Sequence, residues 1–155
     1  MRRIIQLTLA VALAALVLPC AASAATAPKA AKAARAATVH AILISASNKQ
    51  GGVDRKLAAH EANLRRNLPF DTFRFAGEGT VSLPGGGRAT INLPGGQRLE
   101  LEDDPDTGIR LKVFWMVGSE VVISTTLTLN PGVPGVLARR PATDGDVPVV
   151  LLIAR

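Results

Sequence analysis

Cysteine is nearly absent: the 155-residue chain carries one, Cys20. An intramolecular disulfide is therefore excluded, and with it a disulfide-stapled scaffold and a multi-cysteine metal site. Tyrosine is missing, tryptophan occurs once and phenylalanine four times, so the chain lacks the aromatic platforms on which nucleic-acid bases stack. Histidine occurs only at positions 40 and 60, which leaves little material for imidazole chemistry. No apolar run reaches the roughly twenty residues that a membrane-spanning helix needs.

The longest apolar run, Ile4 to Leu18, has a different meaning. It follows Met1-Arg2-Arg3 and is followed by Pro19-Cys20-Ala21-Ala22-Ser23-Ala24. A positive start, an apolar run of about fifteen residues and an Ala-x-Ala ending make a secretory leader, with cleavage after Ala24. Arg2-Arg3 alone is too bare for a twin-arginine signal. Val17-Leu18-Pro19-Cys20 resembles a lipoprotein processing site, but Pro19 stands where a small residue is wanted. Ordinary cleavage removes Cys20 and leaves a soluble, exported chain, periplasmic or extracellular.

The formal charge of +6 invites a nucleic-acid reading that its distribution does not support. Arg2 and Arg3 leave with the leader. Lys29, Lys32 and Arg35 sit in the alanine-rich stretch 25–37, a flexible spacer whose three cations graze an anionic membrane surface at about 1 kcal/mol each when close. From Thr38 onward, thirteen Lys or Arg face twelve Asp or Glu, a net of +1. Nucleic-acid binding rests on clustered cations, and Arg65-Arg66 and Arg139-Arg140 are isolated pairs. No nucleic-acid partner is expected.

Three segments result: a leader at 1–24, the spacer at 25–37 and one domain at 38–155. Thr38 to Ser47 is apolar on both alternations, with Val39, Ala41 and Leu43 on one face and His40, Ile42 and Ile44 on the other, which predicts a central strand covered from both sides. Asp54 to Leu68 predicts a helix. Asp54 caps its start, Arg65 and Arg66 suit its end, Pro69 stops it, and Val53, Leu57, Leu64 and Leu68 form one apolar stripe. Period-two patterning follows at Thr72–Ala76, Gly79–Leu83, Arg88–Leu93, Arg98–Glu102, Ile109–Val117, Glu120–Leu129, Val133–Leu137 and Val147–Ala154. Turns this short leave no room for crossover helices, so neighbours pair antiparallel. The expected class is α+β, a mostly antiparallel meander of about eight or nine strands with one amphipathic helix packed on it and Leu111, Val121 and Leu151 in the core.

The near-repeat TVSLPGGGRA and TINLPGGQRL, Thr80 to Leu99, reads as two hairpin bends. Pro84 and Pro94 preset φ at the second turn position, and Gly85 and Gly95 supply a positive φ. A phosphate cradle would run into a helix, usually with Lys-Ser or Lys-Thr, and neither follows. No cofactor is expected.

Candidate sites are few. His60 lies on the helix stripe and His40 on a strand face, so the packed helix can bring the two imidazoles together. With Glu61 or Asp54 they would offer nitrogen and oxygen ligands to a metal, although two partly buried, hydrogen-bonded histidines explain the same pattern. The acidic run Glu100, Glu102, Asp103, Asp104 and Asp106 lacks calcium-loop spacing and reads as a charged turn at Asp-Pro-Asp-Thr-Gly. Gly118-Ser119 is a hairpin turn, without the strand-to-helix elbow of an esterase serine. Arg110, Lys112, Phe114 and Met116 share one strand face, a strip where cations flank apolar groups and where Phe114 or neighbouring Trp115 can anchor a partner. The expected function is a non-catalytic envelope module that binds a protein or peptide; the alternative is a secreted hydrolase or metal-binding protein centred on His40 and His60.

Overall fold

The computed structural model describes residues 36–104, 109–140 and 145–155. The leader, the cleavage point at Ala24, the spacer cations Lys29, Lys32 and Arg35, and residues 105–108 of the Asp-Pro-Asp-Thr-Gly turn, Asp106 among them, lie outside the described residues. What is described is α+β, with eight strands in two antiparallel sheets and one short helix. The strands are β1 (Ala37–Ser47), β2 (Thr72–Leu83), β3 (Arg88–Leu93), β4 (Gln97–Asp104), β5 (Ile109–Val117), β6 (Glu120–Leu129), β7 (Gly135–Ala138) and β8 (Val147–Ala154). Sheet A runs β2-β1-β8-β7 and sheet B runs β3-β4-β5-β6. Chain neighbours thus remain spatial neighbours, and β8 returns to pair with β1.

Sheet A is the middle of three layers. Its two inner strands are β1 and β8, and both are apolar on both faces, as that position requires. Val39, Ala41 and Leu43 point toward sheet B and join Leu99, Leu101, Leu111, Val113, Trp115, Val150 and Leu152 in one core. Ile42, Ile44 and Ala46 point the other way and join Phe73, Val149, Leu151, Leu57 and Leu64 in a second core beneath the helical segment.

That segment differs from the single expected helix. Arg55–His60 is a 3-10 helix, which passes directly into α1 (Glu61–Asn67). The cause lies at Asp54, which is pinned to β2: its N–H donates to the Phe73 carbonyl at 2.9 Å, and its carboxylate accepts from the Phe75 N–H at 3.4 Å and from Lys56 N–H at 3.1 Å. With Asp54 fixed, the turn closes tightly through Leu57 N–H to the Asp54 carbonyl at 2.8 Å, an i to i+3 bond. The apolar stripe survives, since Leu57 and Leu64 are fully buried and Val53 and Leu68 pack beside them. Burying each leucine stabilises the docking by about 1.5–3 kcal/mol. Leu68 turns extended before Pro69.

Four other expectations change. Thr72–Ala76 and Gly79–Leu83 are one strand, β2, whose register skips Ala76 where Leu43 pairs with Gly77 and Ile44 with Phe75. Gly77 and Gly79 do not break it; they admit β3, because a Cβ at Gly77 would come within 2.5 Å of Pro94, and one at Gly79 within 2.5 Å of Ile91. Of the two Leu-Pro-Gly-Gly bends only the second closes a hairpin, between β3 and β4. The first carries the chain from sheet A to sheet B, and its left-handed residue is Gly86 at φ 71°, not Gly85. Val121 is 51% exposed, whereas Leu111 and Leu151 are buried. A register slip opposite Trp115 and Met116, which pair with Ile123 and Val121, moves Val121 to the outer face. Finally, β7 begins at Gly135, and Val133 is exposed.

Candidate functional site

Alternation along β5 sorts the expected strip. Leu111, Val113 and Trp115 face the core, whereas Arg110, Lys112, Phe114 and Met116 face outward. Trp115 is therefore removed from the candidate surface: it is fully buried between the sheets, where its indole N–H donates to Gln97 Oε1 at 3.0 Å. A tryptophan can be buried so deeply only if that donor is satisfied.

Antiparallel register then builds the outer face of sheet B row by row. Arg88, Glu102 and Lys112 lie side by side, followed by Thr90, Glu100 and Phe114, then Asn92, Arg98, Met116 and Val121. Charges of opposite sign alternate across the strands, with Arg88 to Glu102 at 3.3 Å and Arg98 to Glu100 at 3.4 Å. Both pairs are largely solvated, so each adds little to stability. Beside them, on β5 and β6, half-buried Phe114, buried Met116 and exposed Val121 form an apolar floor, and Arg98 Nη2 lies 3.4 Å from the Met116 sulfur while its Nε is buried without a hydrogen-bond partner. The result is a shallow groove of about 490 Å³ lined by Arg88, Thr90, Glu100, Glu102, Phe114, Met116 and Val121, among others. Such a surface can take an apolar side chain on its floor and ionic or hydrogen-bonding groups along its rim.

The acidic run is engaged along this sheet: Glu100 and Glu102 hold the arginines named above, and Asp103 accepts the Gly86 N–H at 2.9 Å. The latter bond fastens the β2–β3 bend to β4.

His40 and His60 do come into electrostatic range. His40 Nε2 lies 3.2 Å from Glu78 Oε2 on the adjacent strand. The pKa of His60 is lowered, first by burial, then by His40 and by Arg155. Glu61 turns away to Arg65, one helical turn on, at 2.8 Å, and Asp54 is used at the helix start. Among the described residues no three His, Cys, Asp or Glu side chains are grouped so as to hold a metal ion. Also among the described residues, no helix is long and apolar enough to cross a membrane.

Sequence reasoning found the β5 strip but not the rest of the groove. Arg88, Glu100, Glu102 and Arg98 each alternate correctly within their own strands, yet only the register brings them beside Phe114. Val121 was hidden by the slip in β6. The chain matches no protein-family model, no curated protein and no solved structure.

Proposed function

We propose that this is an exported envelope protein, periplasmic or extracellular, that binds a protein or peptide partner non-covalently through the outer face of sheet B. The partner segment is extended, places an apolar side chain over Phe114, Met116 and Val121, and carries charges of both signs to meet Arg88, Arg98, Glu100, Glu102, Arg110 and Lys112. The observation that carries this reading is the groove in which an apolar floor on β5 and β6 lies beside two ion pairs on β3 and β4. Export rests on the leader pattern of residues 1–24.

The test is selection of peptides from a display library on the purified exported protein, followed by titration of the selected peptides against Phe114→Ala and Val121→Asp. Both variants should weaken binding at least about tenfold, as loss of an interface anchor does. Unchanged affinity in both, with the fold intact, would place the partner elsewhere and end the proposal.

A further inference from the structure

The two sheets have four edge strands, β2, β7, β3 and β6, and three of them are blunted. β2 and β3 close against each other, where Pro94 and Ile91 fill the space above Gly77 and Gly79. β7 is four residues long. β6 is different. It runs ten residues, and from Val121 to Leu129 it contains no charge and no proline, the two devices that usually protect an edge. Among the described residues its only ladder partner is β5, and β7 approaches only its far end, where Leu129 and Leu127 lie over Gly135.

The sequence of this edge reads nearly the same in both directions. Around Thr125 it is Ile123-Ser124-Thr125-Thr126-Leu127. Ile123, Thr125 and Leu127 pair with inward-facing Trp115, Val113 and Leu111, whereas Ser124 and Thr126 pair with outward-facing Phe114 and Lys112. Antiparallel pairing of two such edges must match inner residues with inner and outer with outer, or the buried face is lost. Centred on Thr125, it sets Ile123 against Leu127 and Thr125 against itself within and Ser124 against Thr126 without, with no like charges opposed, a match of five residues that ends where the slip turns Val121 outward while Leu129 faces in.

We infer that two copies of this chain associate through β6, antiparallel about a two-fold axis at Thr125, joining their B sheets into one eight-stranded sheet. This association does not depend on the groove or on what the groove binds.

The test uses exported protein expressed with Cys20→Ser in its leader, so that no native cysteine remains whichever site is processed. Without further change it should sediment at twice the monomer mass at micromolar concentration. Thr125→Lys, which opposes two ammonium groups directly across the axis, should raise the dimer dissociation constant at least about tenfold. Thr125→Cys should cross-link under mild oxidation several-fold faster than Val133→Cys, because antiparallel partners stand about 4.5–5.5 Å apart, within disulfide reach. Monomer mass at every concentration overturns the inference. So does a dimer in which Thr125→Cys reacts no faster than Val133→Cys, since that dimer uses another surface.

Discussion

Substituting alanine for Gly77 tests the seam between β2 and β3. The added Cβ would lie 2.5 Å from Pro94 Cγ and 2.6 Å from its Cδ, whereas apolar carbons rest at about 3.5–4.0 Å. One side must therefore move by about 1 Å. The proline ring cannot rotate away, and it opens a hairpin whose next residues, Gly95 and Gly96, are held at φ 74° and 69°. Overpacking of this kind costs about 1–3 kcal/mol, and the rigid neighbour puts Gly77→Ala near about 2 kcal/mol. Gly79→Ala meets the Ile91 Cγ2 methyl at 2.5 Å, a branch fixed on the Cβ of a buried β-branched side chain, so it should cost about as much. Gly52 has nothing within 4 Å and no left-handed backbone, so Gly52→Ala should be neutral or stabilise by about 0.4–1 kcal/mol. Urea unfolding followed by Trp115 fluorescence reads the series, and at a slope of about 2 kcal/mol/M the Gly77 variant should lose about 1 M in midpoint. An unchanged midpoint for Gly77→Ala, or an equal loss for Gly52→Ala, would refute the reasoning.

Two further outcomes are expected. His60, held below its ordinary pKa of 6.5 chiefly by burial, binds fewer protons folded than unfolded, so stability is full above that value and declines as the pH falls through it. His60→Gln should flatten this slope between about pH 7.5 and about pH 5; a slope equal to the wild type would show that other groups set it. Intact mass of the exported protein should place its first residue at Ala25, and a lipid-modified chain beginning at Cys20 would show instead that Pro19 does not block that processing.

The fold was legible wherever a residue's face decides its fate. Val39 and Ile42 mark β1 as central because both alternations are apolar, and the Leu57–Leu64 stripe places the helical segment on a sheet. What lay beyond the sequence was pairing. Gly77 and Gly79 look like strand breakers in one dimension, and only the arrival of Pro94 and Ile91 reveals why side chains are missing there. Gly86 rather than Gly85 is left-handed because the bend closes from Gly87 N–H to the Pro84 carbonyl, which puts Pro84 first and Gly86 third in the turn. Val121 sits in phase with the core until a slip against Met116 turns it outward. At the candidate site, Phe114 and its flanking cations were readable along one strand, whereas Arg88, Glu102 and Arg98 become its neighbours through hydrogen bonds that no local pattern encodes.

The pairing of β1 with β8 also governs when the molecule can form. Ser45 and Asp146, joined at 3.1 Å, are 101 positions apart, so β1 must wait for one of its two ladder partners until almost all the rest has been synthesised. Until then Ile42 and Ile44 lack their contacts with Val149 and Leu151, and non-local closure of this kind is slow. The layered native state is therefore closed by β8, the last of the eight strands in chain order.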